Sequence, residues 1–240
     1  MNKLEFKNLI KECILEIQTE SVDPEGKFVT INGKKFDIDT KDIMLSGDQR
    51  KYPIEMYRLK SATYLSVRNC QLGEIKPQIK NLKNLESVFL DGNRLKTLPD
   101  GFGSLTKITN LNLNSNQLTD IDIITKLLNL EKLDLSSNLT LKELPSSIGN
   151  LKNLKYLDLS STRLISLPDS FGDLSNLTIL KLNSCLYLTK FPDSMRKLTN
   201  LKAIYFIKGL LPLKEFQSER KRLKEMLPKC KIFYTSASQD

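Results

Sequence analysis

One eleven-residue pattern, met again 23 positions later, constrains this chain more than any other feature. Leu85-Glu86-Ser87-Val88-Phe89-Leu90-Asp91-Gly92-Asn93-Arg94-Leu95 and Ile108-Thr109-Asn110-Leu111-Asn112-Leu113-Asn114-Ser115-Asn116-Gln117-Leu118 both read L-x-x-L-x-L-x-x-N-x-L, with aliphatic residues at the L positions. A unit this short cannot bury its apolar face alone. Stacking at a fixed period lets neighbouring units share one continuous core, so the pattern dictates a solenoid.

Further copies follow at the same phase. The strand pairs are Leu65/Val67, Val88/Leu90, Leu111/Leu113, Leu133/Leu135, Leu157/Leu159, Leu180/Leu182 and Ile204/Phe206. A degenerate first copy has Ile43-Met44-Leu45 as its strand, Asp48 at the turn, and Met56 and Leu59 on the return. Apolar residues two apart share one face of a strand and fill the core. The ninth position closes the turn. Asn93, Asn116 and Asn138 suit it, because a buried amide can bond the backbone of its own and neighbouring loops. Cys70, Thr162, Cys185 and Gly209 stand there in other copies. On the return side Leu98-Pro99, Leu144-Pro145, Leu167-Pro168 and Phe191-Pro192 lead into apolar pairs at helical spacing, so the back wall is expected as extended chain entering short helical turns. Ile121-Asp122-Ile123 lacks the proline, and single-residue insertions fall at Leu139 and Leu186.

The flanks differ from the repeats. Residues 3–20 carry Leu4, Ile10, Cys13, Ile14 and Ile17 at helical spacing. Residues 27–38 place Asn32-Gly33 between two short apolar–polar alternations, a tight-hairpin signal. Residues 1–42 are therefore expected as an N-terminal helix-and-hairpin cap and 43–211 as the repeats. Residues 212–240 are expected as a second cap: a basic helix with Phe216, Leu223 and Leu227 inward, a closing strand at Ile232-Phe233-Tyr234, and a tail. Two covered ends read as a complete array.

Composition narrows the chemistry. There is no histidine, which removes the commonest general base and metal ligand. The four cysteines, Cys13, Cys70, Cys185 and Cys230, lie far apart with no C-x-x-C pair. No apolar run is long enough to span a bilayer and no leader pattern opens the chain. Of the net charge of +9, most sits in residues 190–240, with 12 basic and 5 acidic side chains. A basic end could touch an acidic protein, a membrane surface or nucleic acid; a solvated face on a capping helix is the plainer reading. The sequons at Asn138 and Asn176 are set aside, Asn138 because its turn position is buried.

Taken together, these motifs resemble the leucine-rich repeat superfamily over residues 43–211. Leu144-Pro145-Ser146-Ser147-Ile148-Gly149-Asn150-Leu151 is similar to the 23-residue "typical" subclass. The ending Leu227-Pro228-Lys229-Cys230-Lys231-Ile232-Phe233 is similar to that of many bacterial cytoplasmic-type members. The resemblance implies an α/β fold: a right-handed horseshoe solenoid whose concave face is a parallel β-sheet, used to hold protein partners. Members outside the cell usually carry cysteine-rich caps. Neither end here has one, which points to a reducing, cytoplasmic location.

On such a sheet the residues flanking the strand leucines face the concave side. The candidate partner-binding residues are Tyr64, Arg68, Phe89, Asp91, Asn112, Lys132, Asp134, Tyr156, Asp158, Ile179, Lys181 and Tyr205. Aromatic side chains beside arginine are the material of interface hot spots, although β-propensity alone also favours Tyr, Phe and Ile on strands. Asp134 and Asp158 share a column, with Lys132 and Lys181 expected near enough to neutralise them, which favours polar recognition over acid–base catalysis. The expectation is a non-enzymatic, monomeric interaction module with a protein partner and no catalytic, cofactor or metal site. Its rivals are an exported effector using the same face on a foreign protein, and an anion binder using the basic C-terminal cap.

Overall fold

The computed structural model describes residues 27–31, 34–45, 54–207 and 209–235. The helix expected over residues 3–20, the Asn32-Gly33 turn, the first turn position at Asp48 and the tail beyond residue 235 lie outside the described residues.

Strands β1 (Phe28–Ile31) and β2 (Lys34–Asp37) form an antiparallel pair. Nine strands then make one parallel sheet. They are β3 (Asp42–Leu45), β4 (Tyr64–Val67), β5 (Ser87–Phe89), β6 (Asn110–Asn112) and β7 (Lys132–Asp134). β8 (Tyr156–Asp158), β9 (Ile179–Leu182), β10 (Ala203–Ile207) and β11 (Lys231–Thr235) complete it. Each strand neighbours the next in sequence, as a solenoid requires. The degenerate first copy is a true strand, with Ile43 and Leu45 in register with Leu65 and Val67. The helix α1 (Leu213–Met226) lies between β10 and β11 and buries Phe216 and Leu223. Strand, return and strand, repeated in one sense along a parallel sheet, make the right-handed solenoid, with the sheet on its concave side.

The back wall consists of short 3-10 turns, among them Asp100–Ser104, Ser146–Asn150, Asp169–Asp173 and Asp193–Lys197. Proline sets the entry to each of these: Pro168, for example, sits at φ −69°, ψ 156°. Where proline is missing, Ile121 enters its turn at φ −131°, ψ 14°. Successive turns approach closely. A Cβ on Gly172 would lie 2.2 Å from the Ser194 carbonyl oxygen, so the glycine is what allows the two turns to touch. Strand leucines and back-wall residues such as Phe102 and Phe171 form one core, which Val29, Ile31 and Phe36 of the hairpin join.

The turn asparagines do what their position predicts. The Asn93 carbonyl accepts from the Cys70 and Leu72 N–H groups, and its amide donates to Val67 O and Leu90 O. Asn116 and Asn138 repeat the pattern one and two units on. Thr162 and Cys185 reproduce only part of it, both directing their side chains to the Leu159 carbonyl. The residue before the turn positions Cys70, Asn93, Asn116, Asn138, Thr162 and Cys185 adopts positive φ, from 53° at Asn69 and Ser115 to 69° at Gly92.

A second series was not anticipated. Asn84, Asn129, Asn153, Asn176 and Asn200 each donate through the side-chain amide to a backbone carbonyl of the preceding repeat. All five directly precede a repeat leucine, so the sequence carried the signal without naming the partner. Asn176, a sequon residue, is spent in this series.

Candidate partner-binding face

Strand register arranges the concave residues in columns. One runs Tyr64, Ser87, Asn110, Lys132, Tyr156, Ile179, Ala203. The next runs Met44, Ser66, Phe89, Asn112, Asp134, Asp158, Lys181, Tyr205, Phe233. Neighbouring strands stand about 4.8 Å apart, so successive side chains within one column can touch.

At the N-terminal side Tyr64 and Phe89 meet with ring centroids 5.3 Å apart and planes at 36°. The Arg68 guanidinium lies 4.4 Å from the Phe89 centroid. Its Nε stands 3.2 Å from Asp91 Oδ1. Four of the sequence candidates thus form one assembly, with the arginine between the Phe89 ring and the Asp91 carboxylate. A cation over an aromatic face is attracted by the ring quadrupole. Tyr64 and Phe89 are half-buried rather than exposed, because they cover one another.

The second assembly is polar. The Tyr156 hydroxyl donates to Asp158 Oδ2 at 3.0 Å. Lys181 Nζ stands 3.7 Å from the same oxygen and 5.3 Å from the Tyr156 ring centroid. The other carboxylate oxygen, Oδ1, accepts the Ser160 N–H. Asp158 is buried, 8% exposed, instead of lying on an open polar surface. One strand earlier, Asp134 Oδ1 accepts the Ser136 N–H and hydroxyl at 2.9 and 2.5 Å. Asn112 Oδ1 likewise accepts the Asn114 N–H. This is the local turn that Asx side chains favour.

Lys132 corrects an expectation. It is exposed and makes no ion pair among the described residues, so Lys181 alone approaches the carboxylates. Asp134 is meanwhile tied to the Ser136 N–H and hydroxyl. Ile179, half-buried, sits beside Tyr156 in register. Tyr205 stacks on Phe233 at 4.7 Å with planes 8° apart. Phe233, 45% exposed, and Met44, 56% exposed, extend the middle column at its two ends and were missed as candidates. Carrying the column one strand further each way would have found both.

Burial pushes the Asp134 carboxyl above the ordinary aspartate range, Ser136 and Lys181 oppose the shift, and Asp158 adds to it. Burial also pushes the Tyr156 phenol up, and contact with that phenol is the first cause raising Lys181. The sign for Asp134 is definite. A carboxyl raised on folding binds its proton more tightly in the folded state, so its contribution is most favourable below the unfolded pKa of about 4 and is lost as pH rises through the folded value. Asp134→Asn keeps the acceptor oxygen and removes the charge. The variant is expected to melt higher than wild type at pH 7, with the gap closing by about pH 3.5. Thermal melts at both values check this; a gap that widens toward acid would refute the assignment.

The cysteines fill structural roles. Cys70 and Cys185 are buried at turn positions, and Cys185 and Cys230 form no disulfide. Burial pushes the Cys185 thiol up and the Cys230 thiol up to about 11, away from the reactive thiolate.

Two family models cover most of this architecture. Residues 60–118 match one described as leucine rich repeat, and residues 113–227 one described as a leucine-rich repeat region. The chain belongs to the leucine-rich repeat superfamily. Receptor-like protein 39 of Arabidopsis thaliana is 33% identical over 159 residues; the match takes in 64% of this chain and 17% of that protein. The chain therefore spans only a small part of that relative's length. An internalin from Listeria monocytogenes superposes with a TM-score of 0.61 at 16% identity, over 93% of this chain and 68% of the other. A plant peptide hormone receptor, RGFR1, in complex with RGF2, superposes with a TM-score of 0.54 at 24% identity, over 77% and 34%. These likenesses establish the fold. Leucine-rich repeat proteins generally mediate protein–protein interactions. Among the described residues no helix is long and apolar enough to cross a membrane.

Proposed function

We propose that this leucine-rich repeat chain is a non-enzymatic module that docks a protein partner on its concave sheet. The observation that carries the reading is the Tyr64–Phe89–Arg68–Asp91 assembly. It is an aromatic shelf with a cation fixed on it, already ordered before any partner arrives. Pre-ordered anchors lose little rotamer freedom on binding, and aromatic and arginine side chains dominate interface energetics. Tyr156, Asp158 and Lys181 supply a second, polar anchor, with Asn112 and Asp134 between the two. The peptide complex of the RGFR1 neighbour supports the use of such a solenoid for a protein ligand.

The same reading divides the chain into an N-terminal cap (1–42), the repeats (43–211) and a C-terminal cap (212–240). It also places the protein in a reducing, cytoplasmic setting, supported by the absence of a disulfide at Cys185 and Cys230. Asp134 and Asp158 serve recognition rather than acid–base chemistry, since each is tied to its own serine N–H.

The test compares wild type with a combined Tyr64→Ser, Phe89→Ser, Tyr156→Ser variant in affinity capture from host lysate, after matching melting points. A protein held by wild type is expected to bind the folded variant about a hundred-fold more weakly. Equal retention by the variant would remove the concave face from consideration.

A further inference from the structure

Among the described residues the sheet ends on its C-terminal side without a further strand. β11 is its last strand. The Lys231 N–H donates to Lys202 O at 2.8 Å, which sets the phase of the ladder. Backbone groups alternate along a strand, so the N–H and C=O of Ile232 and Tyr234 face away from β10. Among the described residues no strand pairs with that side. An unpaired row of backbone donors and acceptors is a template for a further strand.

The surroundings of that edge are specific. α1 and β11 enclose a cleft of about 390 Å³, lined by Arg220, Lys224, Lys231, Ile232, Phe233 and Tyr234. The Arg220 guanidinium lies 3.7 Å from the Tyr234 centroid, which holds it over the cleft. Arg220, Lys224 and Lys231 are exposed and make no ion pair among the described residues. Arg222, by contrast, is engaged with Glu219, Asp193 and the Phe191 carbonyl, and anchors α1 to the back wall. On the concave side of the same edge Phe233 is stacked on Tyr205 and open to solvent.

We propose that this edge takes up an extended, acidic segment of a partner protein as a tenth strand. Its backbone would pair with Ile232 and Tyr234. Carboxylates on alternate residues would meet Arg220 and Lys224, and the apolar residues between them would lie against Phe233. This is strand addition, in which main-chain pairing gives affinity and alternate side chains give specificity. Charge selects the occupant: residues 190–240 carry 12 basic and 5 acidic groups, so a second copy would bring like charges together.

The experiment is fluorescence anisotropy with a labelled eight-residue peptide alternating glutamate and valine. Two controls accompany it: one with lysine for glutamate, and one with alternate backbone nitrogens methylated. The glutamate peptide is expected to bind saturably and both controls to fail. Arg220→Glu combined with Lys224→Glu, both exposed on α1, is expected to weaken binding at least about ten-fold with an unchanged melting point. No saturable binding of the glutamate peptide would overturn the proposal, as would equal binding of the methylated control, which would show attraction by charge alone. A concentration-dependent dimer lost in the double variant would assign the edge to a second copy and overturn it equally.

Discussion

Replacement of Phe171 by alanine is expected to lower the unfolding free energy by about 4 kcal/mol, among the larger single-residue losses a core can show. Phe171 is fully buried in the 3-10 turn Asp169–Asp173. In the turns before and after it, Ile148 and Met195 are equally buried. Removing the ring discards its transfer free energy and leaves a void that short, proline-entered turns cannot collapse to fill. Gly172 already holds the neighbouring turn at contact distance, so no further approach is available. In a solenoid each unit is stabilised by its interfaces with two neighbours, and the loss at Phe171 falls on both. Urea unfolding followed by circular dichroism reads the effect as a lowered midpoint. A loss below about 1.5 kcal/mol would mean that the back wall repacks.

Asn138→Ala is expected to cost about 3 kcal/mol for a different reason. Asn138 is fully buried. Its carbonyl accepts the Leu118 N–H at 3.0 Å, and its amide donates to Leu113 O at 3.0 Å and Leu135 O at 2.8 Å. Alanine leaves the Leu118 N–H and the Leu135 carbonyl in the core without these partners, while Leu113 O keeps the Asn116 amide; each orphaned group costs about 1–3 kcal/mol. Asn138→Asp tests the mechanism: the carboxylate still accepts but cannot donate, so it should destabilise as well, and more at neutral than at acid pH. A variant as stable as wild type would show that the ladder is ornamental. The position matters more because it is the last asparagine in the series. Thr162, Cys185 and Gly209 close the later turns with fewer side-chain bonds.

Much of this fold could be read directly from the chain, for a physical reason. The repeat states the same burial requirement many times, so an error in one copy is corrected by the others. Even the degenerate strand at Ile43 and Leu45 fell into register. The site was legible only as columns. Sequence placed Asp134 next to Asp158 in one column, because register follows from the period. It did not show that Tyr156 would donate to Asp158, or that Asp158 would be buried. Those depend on which way side chains lean and on what Lys181 does from the next strand. Lys132 illustrates the limit: its column and height were right, yet its ammonium stands clear of both carboxylates. Phe233 was passed over because it follows α1 and lies outside the repeat frame, although its strand continues the same ladder.

The strand order carries one more consequence. Phe89 lies on β5 and Asp158 on β8, three strands apart, so the two anchors are separated by about 14 Å along the sheet. That separation is counted in repeats and not encoded in either anchor. Gain or loss of one 23-residue unit between them would move the anchors by one strand spacing while leaving the side chains of both anchor assemblies unchanged. The solenoid is in this sense a ruler: repeat number alone sets the spacing between the two proposed anchors.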